Sequence, residues 1–214
     1  MMVDPFVISD YCIIRQNRVV KNGNTLHESD ETTVAGFLTA IYRHFGINYP
    51  KFHKMDNLCK LGFLAAEVLL NHSNLKERYH GDKVGLILAN AASSIDTDRN
   101  HQLSISNRLD YFPRPSVFVY TLANIVIGEI CIRHAFLGES TFFIEKSFDP
   151  GRMHHYVYQL LEEEAIQCCI TGWVELDSDR YEAVLYLVQK SDIHPDGIAI
   201  FEPAKMNEIY LQRT

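Results

Sequence analysis

The chain has 214 residues, of which 47% are hydrophobic and 11% aromatic, and its formal net charge is −7. This length allows one domain or at most two small ones, and the hydrophobic fraction excludes a disordered chain. Because phosphate contacts need clustered positive charge and the sequence has no Lys/Arg-rich run, the composition disfavours a nucleic-acid-binding protein and an electrostatic membrane anchor.

The first part of the chain predicts a strand followed by two helices. Residues 3–14 are predicted as a strand and residues 16–30 as a polar loop. Apolar residues at helical spacing predict one helix over residues 31–45 and a second over residues 56–71. Asp56 is predicted to cap the second helix at its N-terminus.

The middle of the chain alternates between apolar and polar segments. Residues 83–90 (KVGLILAN) form a near-continuous apolar run, which is typical of a strand covered on both faces. Residues 91–114 are polar and irregular, so we predict a long loop there. Residues 117–136 have hardly any polar face and predict a buried helix.

The last part predicts a strand, a helix and a hairpin. The strand covers residues 140–145, and the helix covers residues 152–165. Residues 166–176 and 181–189 predict two further strands. The polar link between them is so short that only an antiparallel hairpin can form.

Strands separated by helices, with a hairpin near the end, predict an α/β fold with helices on both faces of the sheet. We expect a mostly parallel, five-stranded sheet with an antiparallel strand at its edge. Residues 1–190 are assigned to this domain, and residues 191–214 to a C-terminal tail that packs on the domain or on a partner. Within the tail, residues 198–201 predict a short strand.

The cysteine pattern and the N-terminus favour a cytoplasmic protein. The first eleven residues (MMVDPFVISDY) lack the basic and apolar segments of a signal peptide. The apolar run over residues 117–131 is interrupted by Asn124, Gly128 and Glu129, so we predict no membrane span. Scattered cysteines without CxxC spacing indicate reduced thiols, and we expect no metal or other cofactor. The five cysteines are Cys12, Cys59, Cys131, Cys168 and Cys169.

The turn after the strand at residues 140–145 has a framework in which many enzymes place a nucleophile. The N-terminus of the next helix supplies N–H groups without helical partners and the positive end of the helix dipole. Asp149 is predicted as the N-cap, followed by a proline at the first helical position. The turn contains no evident nucleophile. Its residues are Ser147, Phe148, Asp149, Pro150 and Gly151.

Several segments resemble, in order and spacing, the N-terminal half of β-ketoacyl synthases, the condensing enzymes of the thiolase-like fold. Residues 52–70 resemble a family helix that begins met-asp/ser-arg and ends leu-ala-ala-glu-leu, and residues 83–90 resemble the strand that follows. Residues 115–137 resemble the segment pro-x-x-phe-x-x-x-x-x-asn-x-x-x-gly. The matching residues there are Pro115, Phe118, Asn124 and Gly128. The resemblance covers residues 3–189.

The resemblance implies a nucleophilic cysteine in the pattern ala-cys-x-x-gly at the strand-to-helix turn. Placing the glycine of this pattern on Gly151 puts Ser147 at the alanine and Phe148 at the cysteine. A benzyl side chain cannot attack an acyl thioester, whereas a thiolate can. The family also has two histidines in a C-terminal half that we expect this chain to lack, so no residue here is assigned their roles.

Two adjacent histidines and a group in the polar loop are further candidates. His154 and His155 point about 100° apart on a helix, so they cannot both bind one metal ion without strain. We predict one packed and one exposed histidine, and a ligand or base role is the alternative. Asp96, Asp98 and His101 match no ligand spacing, so we predict no metal site among them.

These observations predict a non-catalytic, ketosynthase-like accessory protein of fatty-acid, polyketide or polyene-type biosynthesis. It would bind a synthase, an acyl carrier protein or an acyl chain, with Phe148 at the entrance of the former acyl pocket. Two alternatives stay open. One is an acyltransferase or hydrolase with relocated chemistry on Ser147 or on His154 and His155. The other is a purely structural interaction module.

The expected fold also predicts a protein partner. Without a second half, the helix at residues 117–136 and the stripe of Met153, Val157, Leu160 and Leu161 are expected to leave a large apolar patch in water. We therefore predict a homodimer or a heteromer with a ketosynthase.

Overall fold

The computed structural model describes residues 5–106, 114–193 and 197–212. Three short 3₁₀ segments cover Pro50–Lys54, Gly81–Lys83 and Val119–Thr121. The eight strands are β1 (Phe6–Arg15), β2 (Arg18–Lys21), β3 (Asn24–Glu28), β4 (Val84–Asn90), β5 (Ser140–Ile144), β6 (Cys168–Asp177), β7 (Arg180–Lys190) and β8 (Ala199–Ile200). The eight helices are α1 (Val34–His44), α2 (Asn57–Leu70), α3 (Leu75–Arg78), α4 (Ile95–Ile105), α5 (Pro115–Phe118), α6 (Ile125–His134), α7 (Pro150–Glu162) and α8 (Pro203–Tyr210).

The eight strands found in the described residues belong to one mixed sheet. Their order is β3-β2-β1-β7-β6-β4-β5, and β8 pairs with β1. Strand β4 is parallel to both β5 and β6, whereas β7 is antiparallel to its two neighbours β1 and β6. Five strands, β1 and β3 to β6, run in the same direction. The prediction of an α/β fold with a mostly parallel sheet is therefore confirmed.

The predicted strand count is wrong, and the predicted hairpin does not lie at the edge of the sheet. Within the described residues the sheet has eight strands rather than five. The antiparallel β7 lies inside the sheet, between β1 and β6, and the antiparallel strand at the edge is β3. The seven buried residues 183–189 of β7 explain this position, because a strand at the edge of a sheet leaves part of its length in contact with water.

Two of the additional strands come from the predicted polar loop at residues 16–30, which forms the β2–β3 hairpin. The turn between β1 and β2 places Gln16 and Asn17 at positive φ, and the turn between β2 and β3 does the same at Asn22 and Gly23. Asn and Gly tolerate this conformation well. Strand β3 is mostly exposed, so it lacks the apolar alternation by which a strand is recognised in sequence.

Helices cover both faces of the sheet, as predicted. On one face, α1, α2 and α6 pack on the sheet, and on the other face α7 and α8 do so. Helices α2 and α6 approach closely at Gly62, where an added Cβ would lie 2.3 Å from Val126 Cγ2. Met153, Val157 and Leu161 of α7 are buried against the sheet. The prediction that this stripe faces water is therefore wrong.

Two predictions for the middle of the chain are also wrong. The segment 91–114 is predicted as a loop but contains helix α4. Residues 107–113 of the segment lie outside the described residues. Helix α4 buries only Thr97 and so carries almost no hydrophobic signal. The helix predicted over residues 117–136 is interrupted, because Leu122 has an extended backbone before α6 begins.

The apolar segments Pro115–Thr121 and Ile125–His134 meet at a bend of 99°. Within the described ranges, no single helix is long and apolar enough to cross a membrane, and only this bent pair has the required length and composition together.

Candidate functional site

A groove of about 780 Å³ lies at the carboxyl ends of the parallel strands β4 and β6 and beside the turn that follows β5. We call it the strand-end groove. In open α/β sheets this is the edge at which ligands bind. Its walls include Ser147 and Phe148 from the turn, Trp173 and Glu175 from β6, and Tyr210 from α8.

The turn between β5 and α7 is held by contacts that begin the helix. Asp149 Oδ1 accepts a hydrogen bond from the Arg152 backbone N–H at 3.0 Å, and Pro150 occupies the first helical position. The Arg152 guanidinium pairs with the Glu145 carboxylate, and Gly151 is exposed. The side chain of Asp149 thus serves as an N-cap, which is the structural role that its position in the sequence indicates.

Phe148 is held in a cluster of aromatic rings. Its ring centroid lies 4.5 Å from that of Tyr210, 6.2 Å from that of Tyr186 and 6.3 Å from that of Trp173. The side chain is half-buried, and it contributes to one of the two hydrophobic clusters of the protein. The turn therefore presents an inert ring to the groove.

Ser147 lines the groove but has no base beside it. The side chain is exposed, and across the described parts of the chain no hydrogen bond reaches its hydroxyl. His154 packs against the rings of Tyr158 and Phe201, at centroid distances of 5.4 and 4.8 Å. His155 is exposed on α7. Neither histidine lines the groove, so the structure does not bring the pair together with Ser147.

The carboxylates of the groove are engaged in holding the scaffold. Glu175 Oε2 accepts a hydrogen bond from the Ala91 backbone N–H at 2.6 Å, and its Oε1 accepts one from Ala92 at 3.1 Å. Burial raises the pKa of Glu175 above its usual range, and these two hydrogen bonds oppose the shift. On the neighbouring strand, Glu182 accepts a hydrogen bond from the Tyr210 hydroxyl at 2.6 Å.

The cysteines lie away from the turn and are not activated. Cys168 is paired with Val84 at the first residue of β4, the end of the strand opposite to the groove. Burial raises the pKa of Cys12 to about 12 and that of Cys131 to about 11. It raises the pKa of the other three thiols as well. All five side chains are therefore thiols at neutral pH, and a thiol is a poor nucleophile.

Asn124 lies at a different place from the turn residues. It is exposed immediately before α6 and lines a second groove, of about 590 Å³, between α6 and β5. Phe142 and Ile144 of β5 form the opposite wall. Asn124 does not line the strand-end groove, so the structure separates it from Ser147 and Phe148.

The outer side of α6 and the edge of β5 form an exposed apolar surface, of which the sequence predicts the part on the helix at residues 117–136 but not the strand edge. We call it the edge surface. Within the described residues, β5 pairs only with β4, so one side of the strand carries no ladder of hydrogen bonds. Large apolar side chains are exposed around it, and these are Leu122 (57%), Ile132 (66%), Leu137 (76%) and Ile144 (53%).

Helix α6 buries Val126, Ile127 and Ile130 in the core, but it also has a buried acidic residue, Glu129, and an exposed apolar one, Ile132. Glu129 is only 4% exposed, accepts a hydrogen bond from the Tyr120 hydroxyl at 3.1 Å and forms an ion pair with Lys51 at 2.8 Å. Arg133 hydrogen-bonds Glu67 of α2 at 3.0 Å. A helix on the surface of a monomer usually has the opposite arrangement. The pattern was visible in sequence only as charged residues inside an apolar run.

Asp96, Asp98 and His101 are not arranged as a metal site in the described part of the segment 91–114. Asp96, Asp98 and His101 lie on α4, where Asp98 accepts a hydrogen bond from the Ser94 hydroxyl at 3.2 Å. Across residues 5–106, 114–193 and 197–212, no group of three or more His, Cys, Asp or Glu side chains is arranged to hold a metal ion.

No family model matches this sequence, and no curated protein matches it. Solved structures do match its fold. One is the ishigamide ketosynthase/chain length factor, with 12% identity and a TM-score of 0.64 over 88% of this chain and 63% of that chain. Another is AntDE:AntF, a type II PKS acyl-carrier protein in complex with its ketosynthase, with 13% identity and a TM-score of 0.63 over 91% of this chain and 65% of that chain.

A third similar structure is the ketosynthase ApeO in complex with its chain length factor ApeC from Xenorhabdus doucetiae. It has 12% identity and a TM-score of 0.54 over 86% of this chain and 79% of that chain. This chain spans less than two thirds of the matched chains in the first two structures. The chain therefore has the thiolase-like fold of β-ketoacyl synthases, as the sequence resemblance predicts.

Proposed function

We propose that this chain is a non-catalytic, ketosynthase-like accessory subunit of fatty-acid, polyketide or polyene-type biosynthesis. It docks on a ketosynthase through the edge surface and binds an acyl carrier protein through a separate basic surface. The observation that carries the proposal is the ring of Phe148, which lies at the strand-to-helix turn, packed against Tyr210 at 4.5 Å.

The absence of a reactive group at the turn supports a non-catalytic role. Condensation through an acyl-enzyme needs a thiolate or an activated hydroxyl at this position. Phe148 supplies neither, the hydroxyl of Ser147 has no base, and burial raises the pKa of every cysteine. What the chain retains is a stable scaffold, and a scaffold with an exposed apolar surface is suited to binding another protein.

The edge surface supports a ketosynthase as the partner. An exposed strand edge pairs readily with a strand of a second protein, and the apolar side chains around it would then be buried. The three similar structures contain ketosynthases, and two of them include a chain length factor. In the ApeO–ApeC complex, 86% of this chain corresponds to 79% of the matched chain. The matched chain is therefore only slightly longer than this one.

A cluster of cations beside α2 supports binding of a small acidic protein, such as an acyl carrier protein. Lys51, His53 and Lys54 of the 3₁₀ segment are exposed, and Lys60 Nζ lies 5.7 Å from the centre of the Phe52 ring in the same segment. We call the surface formed by these four residues the basic surface. Asp56 accepts a hydrogen bond from the Cys59 backbone N–H at 2.8 Å, and Glu129 forms an ion pair with Lys51 at 2.8 Å. The charge that can attract an acidic partner therefore comes mainly from Lys54 and Lys60. Such a surface steers an acidic partner by electrostatic attraction.

The test is complex formation with a ketosynthase encoded beside this protein. Ile132→Glu places a charge in the edge surface and is expected to abolish the complex in size-exclusion chromatography with light scattering, because the charge would be buried without a partner. The matched control is Leu211→Glu on the C-terminal tail, since Leu211 is 65% exposed and Ile132 is 66% exposed. Equal binding by both variants would contradict docking at the edge surface.

The same purified protein also separates this proposal from its two alternatives. After incubation with acyl thioesters, intact-mass analysis is expected to show no covalent adduct. An adduct that Ser147→Ala removes would identify a relocated acyltransferase or hydrolase. A homodimer that binds neither a ketosynthase nor an acyl carrier protein would favour the purely structural module.

A further inference from the structure

The β2–β3 hairpin contacts α1 through two stacked histidines. His27 lies on β3, at the edge of the sheet, and His44 lies in the last turn of α1. Their ring centroids are 4.3 Å apart and the ring planes are inclined by 32°. No residue that the strand-end groove or the edge surface uses takes part in this contact. The pair therefore forms a separate contact near the edge of the sheet that lies opposite to β5.

His27 lies in a largely apolar environment. Its ring is stacked on Phe37 at 6.4 Å, and its neighbour across the β2–β3 ladder is Val19. The Nε2 atom of His27 is buried, and within the described residues no hydrogen bond reaches it. A buried imidazole nitrogen in these surroundings favours the neutral ring.

The charged groups near the pair do not neutralise a protonated His27. On the hairpin, Glu28 forms an ion pair with Arg18 at 2.9 Å, so its carboxylate is already engaged. On α1, His44 follows Arg43, which is itself a cation. Burial lowers the pKa of His27, and the neighbouring His44 lowers it further. Both effects oppose a second positive charge between the hairpin and the helix.

We propose that His27 and His44 form a proton-sensitive contact that holds the β2–β3 hairpin on α1 while His27 is neutral and loosens when His27 gains a proton beside His44. The transition is expected below about pH 6.5, the usual range of histidine titration. Because the folded protein binds a proton at His27 less readily than the unfolded chain, the contact stabilises the fold above this range. This stabilisation is lost as the pH falls.

Loosening of the hairpin would affect the strand-end groove through Tyr181, which contacts both. The Tyr181 hydroxyl accepts a hydrogen bond from the Asn17 backbone N–H, in the turn before β2, at 2.9 Å. Tyr181 is also a wall of the groove and lies 5.7 Å from Phe37 between ring centroids. The inference does not depend on the proposed function, because it concerns contacts within the chain.

The test is hydrogen exchange followed by mass spectrometry at pH 7.5 and pH 5.5, corrected for the intrinsic pH dependence of exchange. In the unmodified protein, residues 18–44 are expected to lose protection at pH 5.5 by about fivefold, the effect of two unit charges about 4 Å apart in water. His44→Gln removes the imidazole beside His27 at an exposed position and is expected to suppress this loss, whereas His155→Gln, at an exposed position on α7, should not.

An equal loss of protection in the unmodified protein and in His44→Gln would overturn the proposal. The titration of His27 by NMR gives a second readout that does not depend on hairpin opening. Its pKa is expected to rise in His44→Gln and to stay unchanged in His155→Gln. A pKa of His27 that is the same in all three proteins would also overturn the proposal.

Discussion

The strand-end groove and the edge surface differ in how far their groups are satisfied within the chain. In the groove, Glu175 accepts two backbone hydrogen bonds and Glu182 accepts the Tyr210 hydroxyl. On the edge surface, Ile132 and Ile144 are exposed, and one side of β5 has no paired strand among the described residues. The difference indicates that polar groups of the strand-end groove are satisfied within the chain, whereas apolar side chains and one strand edge of the edge surface are left exposed.

The largest effect is expected when a thiol is introduced at the turn of the strand-end groove. Phe148→Cys places a cysteine before the N-terminus of α7, where the helix dipole lowers the pKa of a thiol below its usual 8.5. At pH 7 it is expected to react with iodoacetamide at least about a hundredfold faster than the native cysteines, whose pKa values are raised by burial. The measurement is peptide mapping after timed alkylation. Labelling of residue 148 as slow as that of Cys131 would show that the turn lacks this electrostatic environment.

Removal of the Phe148 ring tests how much the aromatic cluster stabilises the fold. Phe148→Ala is expected to lower the free energy of unfolding by about 2–3 kcal/mol, below the value for a fully buried ring because the side chain is half-buried. Phe118 is 60% exposed, so the matched variant Phe118→Ala should cost less than about 0.5 kcal/mol. Urea denaturation measures both. Equal losses would mean that Phe148 is not part of the packed cluster.

A smaller effect is expected on how the stability of the fold depends on pH, through Glu175 in the groove. Burial raises the pKa of Glu175 in the folded protein, so the folded state binds a proton there more readily than the unfolded chain. Its contribution to stability is therefore present at low pH and decreases as the pH rises through the folded pKa. Glu175→Gln should gain stability relative to the unmodified protein between pH 4.5 and pH 7, as measured by thermal unfolding. A difference that stays constant over this range would exclude a raised pKa.

Much of the fold follows from local pattern, and the exceptions share a physical cause. The run KVGLILAN predicts β4 because all seven residues of the strand are buried. The spacing of apolar residues likewise predicts α1 and α2. Strand β3 and helix α4 were missed because they bury almost nothing, so packing imposes no period on their sequence. The break before α6 depends on the extended backbone at Leu122, which the apolar composition does not reveal.

In the candidate site, too, local features could be predicted from the sequence, whereas contacts between distant segments could not. The turn with Ser147 and Phe148 could be located from the order of strand, turn and helix. The contact of Phe148 with Tyr210 could not be predicted, because α8 is distant in sequence and has only two buried residues, Met206 and Ile209. The sequence predicts an apolar patch on the helix at residues 117–136, but an apolar run does not show which of its residues face outward, so the edge surface could not be located residue by residue. The positions of Glu129 and Ile132 on α6 are decided by tertiary packing.

The most direct test of the account is the footprint of a bound ketosynthase. Hydrogen exchange with mass spectrometry, with and without the partner, reports on the two regions in one experiment. The account predicts that residues 122–144, which include α6 and β5, become protected, while the turn at residues 145–149 and residues 173–182 do not. Protection confined to the strand-end groove, with unchanged exchange in α6 and β5, would contradict it.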